Sequence, residues 1–298
     1  MRADEVEVAF SSGGGRVFGT FRRAEGQGLR PAVILAHGFG SFRDELTGFV
    51  ELAQKLAAAG VASLRLDMRG CGKSGARGVM HPMWDWVEDV RSAASFLESS
   101  PSIAADRIGV AGMSMGGGVA CIAAALDRRL KAVVALAPVT DGERWFRHLW
   151  TTAHDEPRWQ GFLAEIAEDR KRRALKGRSR VVHVLDAMAY QPDDRQAFLA
   201  MSKAYPEFLK RIALSAVDSA MLVRAVPLAP LIAPRPLLII HSRADSSVPV
   251  AQAEALAEAA RPPVRLVLLD NSPHCFWISD QSERVQREAV DWLQEHLS

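Results

Sequence analysis

Ser114 stands in Gly112-Met113-Ser114-Met115-Gly116, between a short apolar run at 108–111 and a small-residue stretch that continues with helical spacing. That order reads as strand, sharp turn and helix. The serine sits at the apex, and a glycine two residues away on each side suits a strained turn that leaves little room for side chains. A hydroxyl held this way is a candidate nucleophile. It is a weak one at neutral pH, so it needs a base, usually a histidine oriented by a carboxylate. In an open parallel sheet such groups gather beyond the carboxyl ends of strands. Two loops qualify. The apolar run 237–240 is followed by His241 and then Asp245, and the run 264–269 by Asp270-Asn271-Ser272-Pro273-His274. Asp270 competes with Asp245 as the acid, but it shares the loop of His274, which favours Asp245.

The elements that must position these groups follow from periodicity. Residues 6–10 and 17–22 pattern as an antiparallel hairpin joined by Ser11-Ser12-Gly13-Gly14-Gly15. Strand-like runs at 32–36, 61–66, 108–111 and 132–136 then alternate with helical runs at 49–59, 83–97 and 115–126. That alternation predicts an α/β fold with a mostly parallel central sheet and helices on both faces. The pattern breaks at 139–234, where apolar spacing is helical and a strand signal remains only at 181–185. It resumes with strands at 237–240 and 264–269 and helices at 250–260 and 282–297. The expected organisation is a split core, 1–138 and 235–298, interrupted by a helical cap at 139–234.

With these motifs placed, the chain resembles the α/β-hydrolase superfamily, and in particular serine esterases and serine aminopeptidase-like hydrolases with a helical cap. The resemblance rests on His37-Gly38-Phe39-Gly40, on Asp67-Met68-Arg69-Gly70-Cys71-Gly72-Lys73-Ser74, on Gly112 to Gly116, and on the Asp245 and His274 loops, in the order serine, acid, histidine. It implies that Ser114 is the nucleophile, His274 the general base and Asp245 the orienting acid. It also implies that the backbone N–H groups of Phe39 and Met115 form an oxyanion hole. The chemistry implied is cleavage of a small-molecule acyl ester or thioester through an acyl-enzyme, with no cofactor and no metal. Acyl thioesterase, aminopeptidase, acyl transfer to an acceptor other than water, and a non-catalytic binding protein remain the alternatives.

Composition bounds the rest. The 298 residues are 48% hydrophobic and carry a formal charge of +2 from 37 basic and 35 acidic side chains, so no global field favours nucleic acid. No apolar run reaches the roughly 18 residues of a membrane span, and the acidic start lacks a secretory leader pattern. The 3 cysteines, without metal-ligand spacing, suit free thiols in a reducing, cytoplasmic setting. Gly70-Cys71-Gly72-Lys73-Ser74-Gly75 spells a dinucleotide fingerprint, yet helical spacing starts only near Met83, and a P-loop would need glycine where Asp67 stands. His148, His154 and His183 lack an ordered ligand pattern. The basic run Arg170-Lys171-Arg172-Arg173, with Lys176, Arg178 and Arg180, is expected as a solvated helix face, with a phosphate-contacting patch as the functional alternative. Trp145, Phe146, Trp150 and Trp159 are expected in a core or at the seam between cap and body.

Overall fold

The computed structural model describes residues 4–75, 82–208 and 210–298. The chain opens with β1 (Glu5–Ser12) and β2 (Gly15–Arg22), paired antiparallel from Glu5↔Arg22 to Ser12↔Gly15. The turn is shorter than the glycine cluster suggests. Only Gly13 and Gly14 form it, with φ of 50° and 79°, the doubly left-handed geometry that follows the twist of a hairpin.

The alternation then runs through β3 (Arg30–Ala36), α1 (Gly48–Ala58), β4 (Ala62–Asp67), α2 (Met83–Glu98), β5 (Ile103–Met113), α3 (Met115–Leu126) and β6 (Leu130–Leu136). Next come α4 (Gly142–Ala153), α5 (Glu156–Lys176), β7 (Val181–His183), α6 (Val184–Ala187), α7 (Pro192–Ala204), β8 (Arg211–Ala213) and α8 (Leu214–Met221). The chain returns to the sheet with β9 (Leu237–Ser242), α9 (Ala251–Ala259), β10 (Val264–Leu269) and α10 (Ser282–Leu297).

The main sheet has eight strands in the order β1-β2-β4-β3-β5-β6-β9-β10. From β4 to β10 every neighbouring pair is parallel, and the pairs β1·β2 and β2·β4 are antiparallel. Successive residues of a strand point to opposite faces, and every residue of β4 and of β9 is buried, so both faces of the sheet are covered. Helix α1 packs with α10, and α2 with α3. This is the α/β-hydrolase arrangement. Its consequence for chemistry is positional: the loops after β3, β5, β9 and β10 all leave the sheet at the carboxyl ends of parallel strands.

The segment between β6 and β9 is mainly helical. Asp141 and Asp155 start α4 and α5 by accepting the Arg144 and Arg158 N–H groups, and Gly177, at φ 65°, ends α5. The strand expected at 181–185 stops at His183. There the imidazole accepts the Leu185 N–H at 3.2 Å and caps α6, so the apolar residues Val184 and Leu185 enter a helical turn. β7 pairs antiparallel with β8 in a separate two-stranded sheet. No helix among the described residues is long and apolar enough to cross a membrane.

Candidate active site

Ser114 occupies the turn between β5 and α3 with φ 57° and ψ −121°, a conformation that costs a non-glycine residue about 1–3 kcal/mol. The surroundings hold it there. Its N–H donates to Leu136 O at 2.8 Å, and its carbonyl accepts from Gly117 and Val139, each at 3.0 Å. A Cβ on Gly112 would lie 2.1 Å from Gly116 O, and one on Gly116 would lie 2.2 Å from Ala36 O. The flanking glycines thus let the helix start press directly against β3 and β5. The Ser114 side chain makes no cap bond to its own helix. It is left for another partner.

That partner is His274, whose Nε2 lies 3.0 Å from Ser114 Oγ. Its Nδ1 lies 2.7 Å from Asp245 Oδ2. The other carboxylate oxygen of Asp245 accepts the Ser247 and Val248 N–H groups at 2.9 and 2.8 Å, which fixes the carboxyl plane. Burial works against charge on both partners. Their attraction outweighs it, raising the His274 pKa above the usual imidazole value and lowering that of Asp245 below the usual carboxylate range. Since an anionic carboxylate only accepts, the proton belongs on Nδ1, and the lone pair of Nε2 faces the hydroxyl. Asp270 is elsewhere: its side chain is 94% exposed, and its ion-pair partner is Arg243 at 3.7 Å.

The amides of Phe39 and Met115 carry no hydrogen bond to another described group, and Met115 N–H opens α3, where the helix dipole favours negative charge. The Phe39 ring packs edge-on against Trp145 and Phe146 of α4, with centroids 5.6 and 5.9 Å away. Trp145, Phe146 and Trp159 are buried, so these aromatics form core and seam. Trp150 stacks on Phe162 at 4.4 Å.

The remaining histidines have local tasks. His37 is fully buried and uses both ring nitrogens, Nδ1–H to Gly38 O at 2.8 Å and Nε2 from Met68 N–H at 3.1 Å. Burial drops its pKa to about 4, so it stays neutral and braces the loop. His241 donates Nε2–H to Val248 O at 2.9 Å and lies 3.5 Å from Asp245 Oδ2, which ties the end of β9 to the acid loop. His148 Nε2 meets Ser246 O at 2.9 Å.

The 67–74 loop is a scaffold. Asp67 accepts Arg43 N–H, Arg43 Nε–H and Lys73 N–H, and Asp89, inside α2, holds Arg69 and the Ser12 hydroxyl. The basic run on α5 is largely paired inside its own segment. Arg170 and Arg173 converge on Asp218, Lys171 meets Glu168 at 2.6 Å, and Arg180 meets Glu165 at 3.1 Å.

Several groups at the site escape a sequence reading. Glu45 is buried, and its Oε2 accepts the Gly38 N–H at 2.8 Å. Trp145 Nε1–H donates to Ser247 O at 3.1 Å, and Asp194 of α7 receives Ser246 Oγ at 3.2 Å, so the acid loop is gripped from α4 and α7. Glu45 lies just beyond the His37-Gly38-Phe39-Gly40 motif, the one faint sequence signal for it.

The sequence profile of the S33 serine aminopeptidase family matches residues 27–281. An uncharacterized 31.7 kDa protein of Escherichia coli, from the traX-finO intergenic region, is 29% identical over 282 residues, covering 93% of this chain and 95% of its own. The polyketide transferase grgF of a Penicillium species is 23% identical over 277 residues, 90% of this chain and 89% of its own. The crystal structure of that α/β hydrolase superposes with a TM-score of 0.81 at 21% identity, over 98% of this chain and 99% of the other. Est1E of Butyrivibrio proteoclasticus, solved with ferulic acid bound, superposes with a TM-score of 0.72 at 20% identity, over 97% and 99%.

Proposed function

Because the chain belongs to the S33 serine aminopeptidase family of α/β-hydrolases, we propose that it cleaves carboxylic esters of small or medium acids through an acyl-enzyme on Ser114. The observation that carries this reading is the continuous Ser114–His274–Asp245 chain at 3.0 and 2.7 Å. In it, His274 Nε2 takes the hydroxyl proton as Ser114 Oγ attacks the ester carbonyl. Asp245 holds the imidazole in the required tautomer and stabilises the imidazolium. The Phe39 and Met115 N–H groups receive the oxyanion, a contribution of roughly 3–4 kcal/mol per donor. His274 then protonates the leaving alkoxide, the alcohol departs, and water activated by the same imidazole releases the acid. Residues 1–138 and 235–298 supply this machinery, and 139–234 serve as a cap that excludes water and selects the acyl or alcohol part.

A second reading is favoured by the transferase name of the Penicillium relative, which aligns over most of both chains. In it, an alcohol or amine replaces water in capturing the acyl group. The test is labelling with a fluorophosphonate, followed by turnover on nitrophenyl esters, acyl thioesters and aminoacyl amides with and without added alcohol. Labelling of the wild type and none of Ser114→Ala, with esters preferred, supports the proposal. Labelling elsewhere overturns it, and a preference for thioesters or amides replaces the substrate class.

A further inference from the structure

Glu45 is a buried carboxyl beside Ser114 and His274 that the mechanism above leaves unused. It is 6% exposed, on the loop between β3 and α1. The backbone strains to bring it there: Glu45, Leu46 and Thr47 take φ of 43°, 56° and 73° in succession, although none is glycine. Runs of such left-handed residues persist only where the surroundings over-determine them, and they gather at functional sites. Two atoms of the carboxyl locate it. Oε2 accepts the Gly38 N–H at 2.8 Å, one residue before the Phe39 amide proposed for the oxyanion. A Cβ built on Gly38 would lie 3.5 Å from Oε1 and 3.3 Å from Ser114 Cβ, so the carboxyl and the nucleophile border the same face of that glycine.

Its neighbours come from three loops. Ser41 and the Gly38 amide belong to its own loop, His274 and Cys275 to the loop after β10, and Cys71 to the loop after β4. Burial raises its pKa to about 7, while the Gly38 N–H hydrogen bond and the His274 charge pull the other way. Reciprocally, the Glu45 charge adds to those of Asp245 and, from α7, Asp194 in favouring the His274 imidazolium.

We propose that Glu45 is a positioning residue with two tasks: it braces the oxyanion loop through the Gly38 N–H, and its charge stabilises the imidazolium that forms when Ser114 attacks. The proposal rests on the hydrolase reading above. It adds a further carboxylate to the site, distinct from Asp245 because it sits on the loop after β3 and makes no hydrogen bond to the imidazole.

The two tasks separate by substitution. Glu45→Gln keeps the length and an oxygen for Gly38 but removes the charge, and Glu45→Asp keeps the charge but shortens the reach. Without the neighbouring negative charge the imidazolium pKa falls, so the base stays neutral to lower pH. On nitrophenyl acetate, the acid limb of kcat/KM for Glu45→Gln should therefore move down by roughly half to one pH unit. The plateau kcat should fall up to about tenfold, since one pKa unit of imidazolium stabilisation is a factor of ten, with KM within about twofold. Glu45→Asp should restore the limb. A folded Glu45→Gln protein with the wild-type limb overturns the proposal, because a purely structural brace would lower the melting temperature without moving it.

A wild-type measurement covers the case in which the variant does not fold. In protein labelled with 13C at glutamate carboxyls and histidine rings, titration of the Glu45 signal should appear as an inflection in the His274 signal. Independent titrations overturn the charge coupling. Fluorophosphonate labelling of Ser114 is run on the same samples, so a failure of the hydrolase reading shows as missing label and is distinguishable from an unmoved pH limb.

Discussion

Asp245→Asn probes the site most sharply, because the geometry dictates how the amide must sit. Asp245 Oδ1 accepts two backbone N–H groups at 2.9 and 2.8 Å, and Oδ2 faces His274 Nδ1 at 2.7 Å. In asparagine one of these positions becomes an NH2 donor. Turning it toward Ser247 and Val248 would set donors against donors and leave two buried amides unsatisfied, at about 1–3 kcal/mol each. The amide therefore keeps its oxygen there and presents NH2 to His274. Nδ1 must then accept, which moves the ring proton to Nε2, the nitrogen 3.0 Å from Ser114 Oγ. An imidazole in that tautomer cannot take the serine proton. We expect kcat to fall by roughly 10³ to 10⁴, or about 4–5.5 kcal/mol of barrier. KM and the melting temperature should change little, since the loop keeps both amide bonds. The comparison is Asp270→Asn, whose exposed side chain should leave kcat within about twofold. Nitrophenyl ester kinetics and fluorophosphonate labelling rates at pH 8, with circular dichroism for folding, read both variants. A folded Asp245→Asn enzyme within tenfold of wild type, or an Asp270→Asn enzyme that loses more, would refute the reasoning.

Two further substitutions test how the site is held. Gly116→Ala would place a Cβ 2.2 Å from Ala36 O and 2.4 Å from His37 O, both backbone atoms that cannot swing away. It should cost about 3 kcal/mol or more in denaturant unfolding, and an unchanged midpoint would show that the contact is not tight. Trp145→Phe keeps a ring against Phe39 and Phe146 but loses the bond to Ser247 O. About 1 kcal/mol of stability and a several-fold loss in kcat should follow, from a looser acid loop; equal kcat and melting temperature would remove Trp145 from the positioning network.

Glu45 shows where a sequence reading runs out. Ser114, Asp245 and His274 are legible because each follows an apolar strand run, and the strand end decides which residue enters the site. The choice between Asp245 and Asp270 is legible only as a preference. Geometry separates them: one is buried against the imidazole, the other points to solvent. Trp145 and Asp194 follow no strand end, and Glu45 sits far along the loop after β3. They reach the site through a left-handed turn and through helices of the segment between β6 and β9, and nothing in local periodicity encodes that approach.

The sequence by itself determined the alternation of strands and helices outside 139–234, the parallel sheet and the serine turn, because binary patterning and glycine placement are local properties that each segment carries with it; the strand β8 (Arg211–Ala213) it did not show. The basic run on α5 reads locally as a charged helix face, and it becomes a clamp only when α8 brings Asp218 beneath Arg170 and Arg173. Tertiary structure alone decided which acid meets His274, which amides are left free beside Ser114, and which groups between β6 and β9 grip the acid loop. Those contacts join residues far apart in the chain. Their distances depend on how whole elements pack, which no local pattern of residues can state.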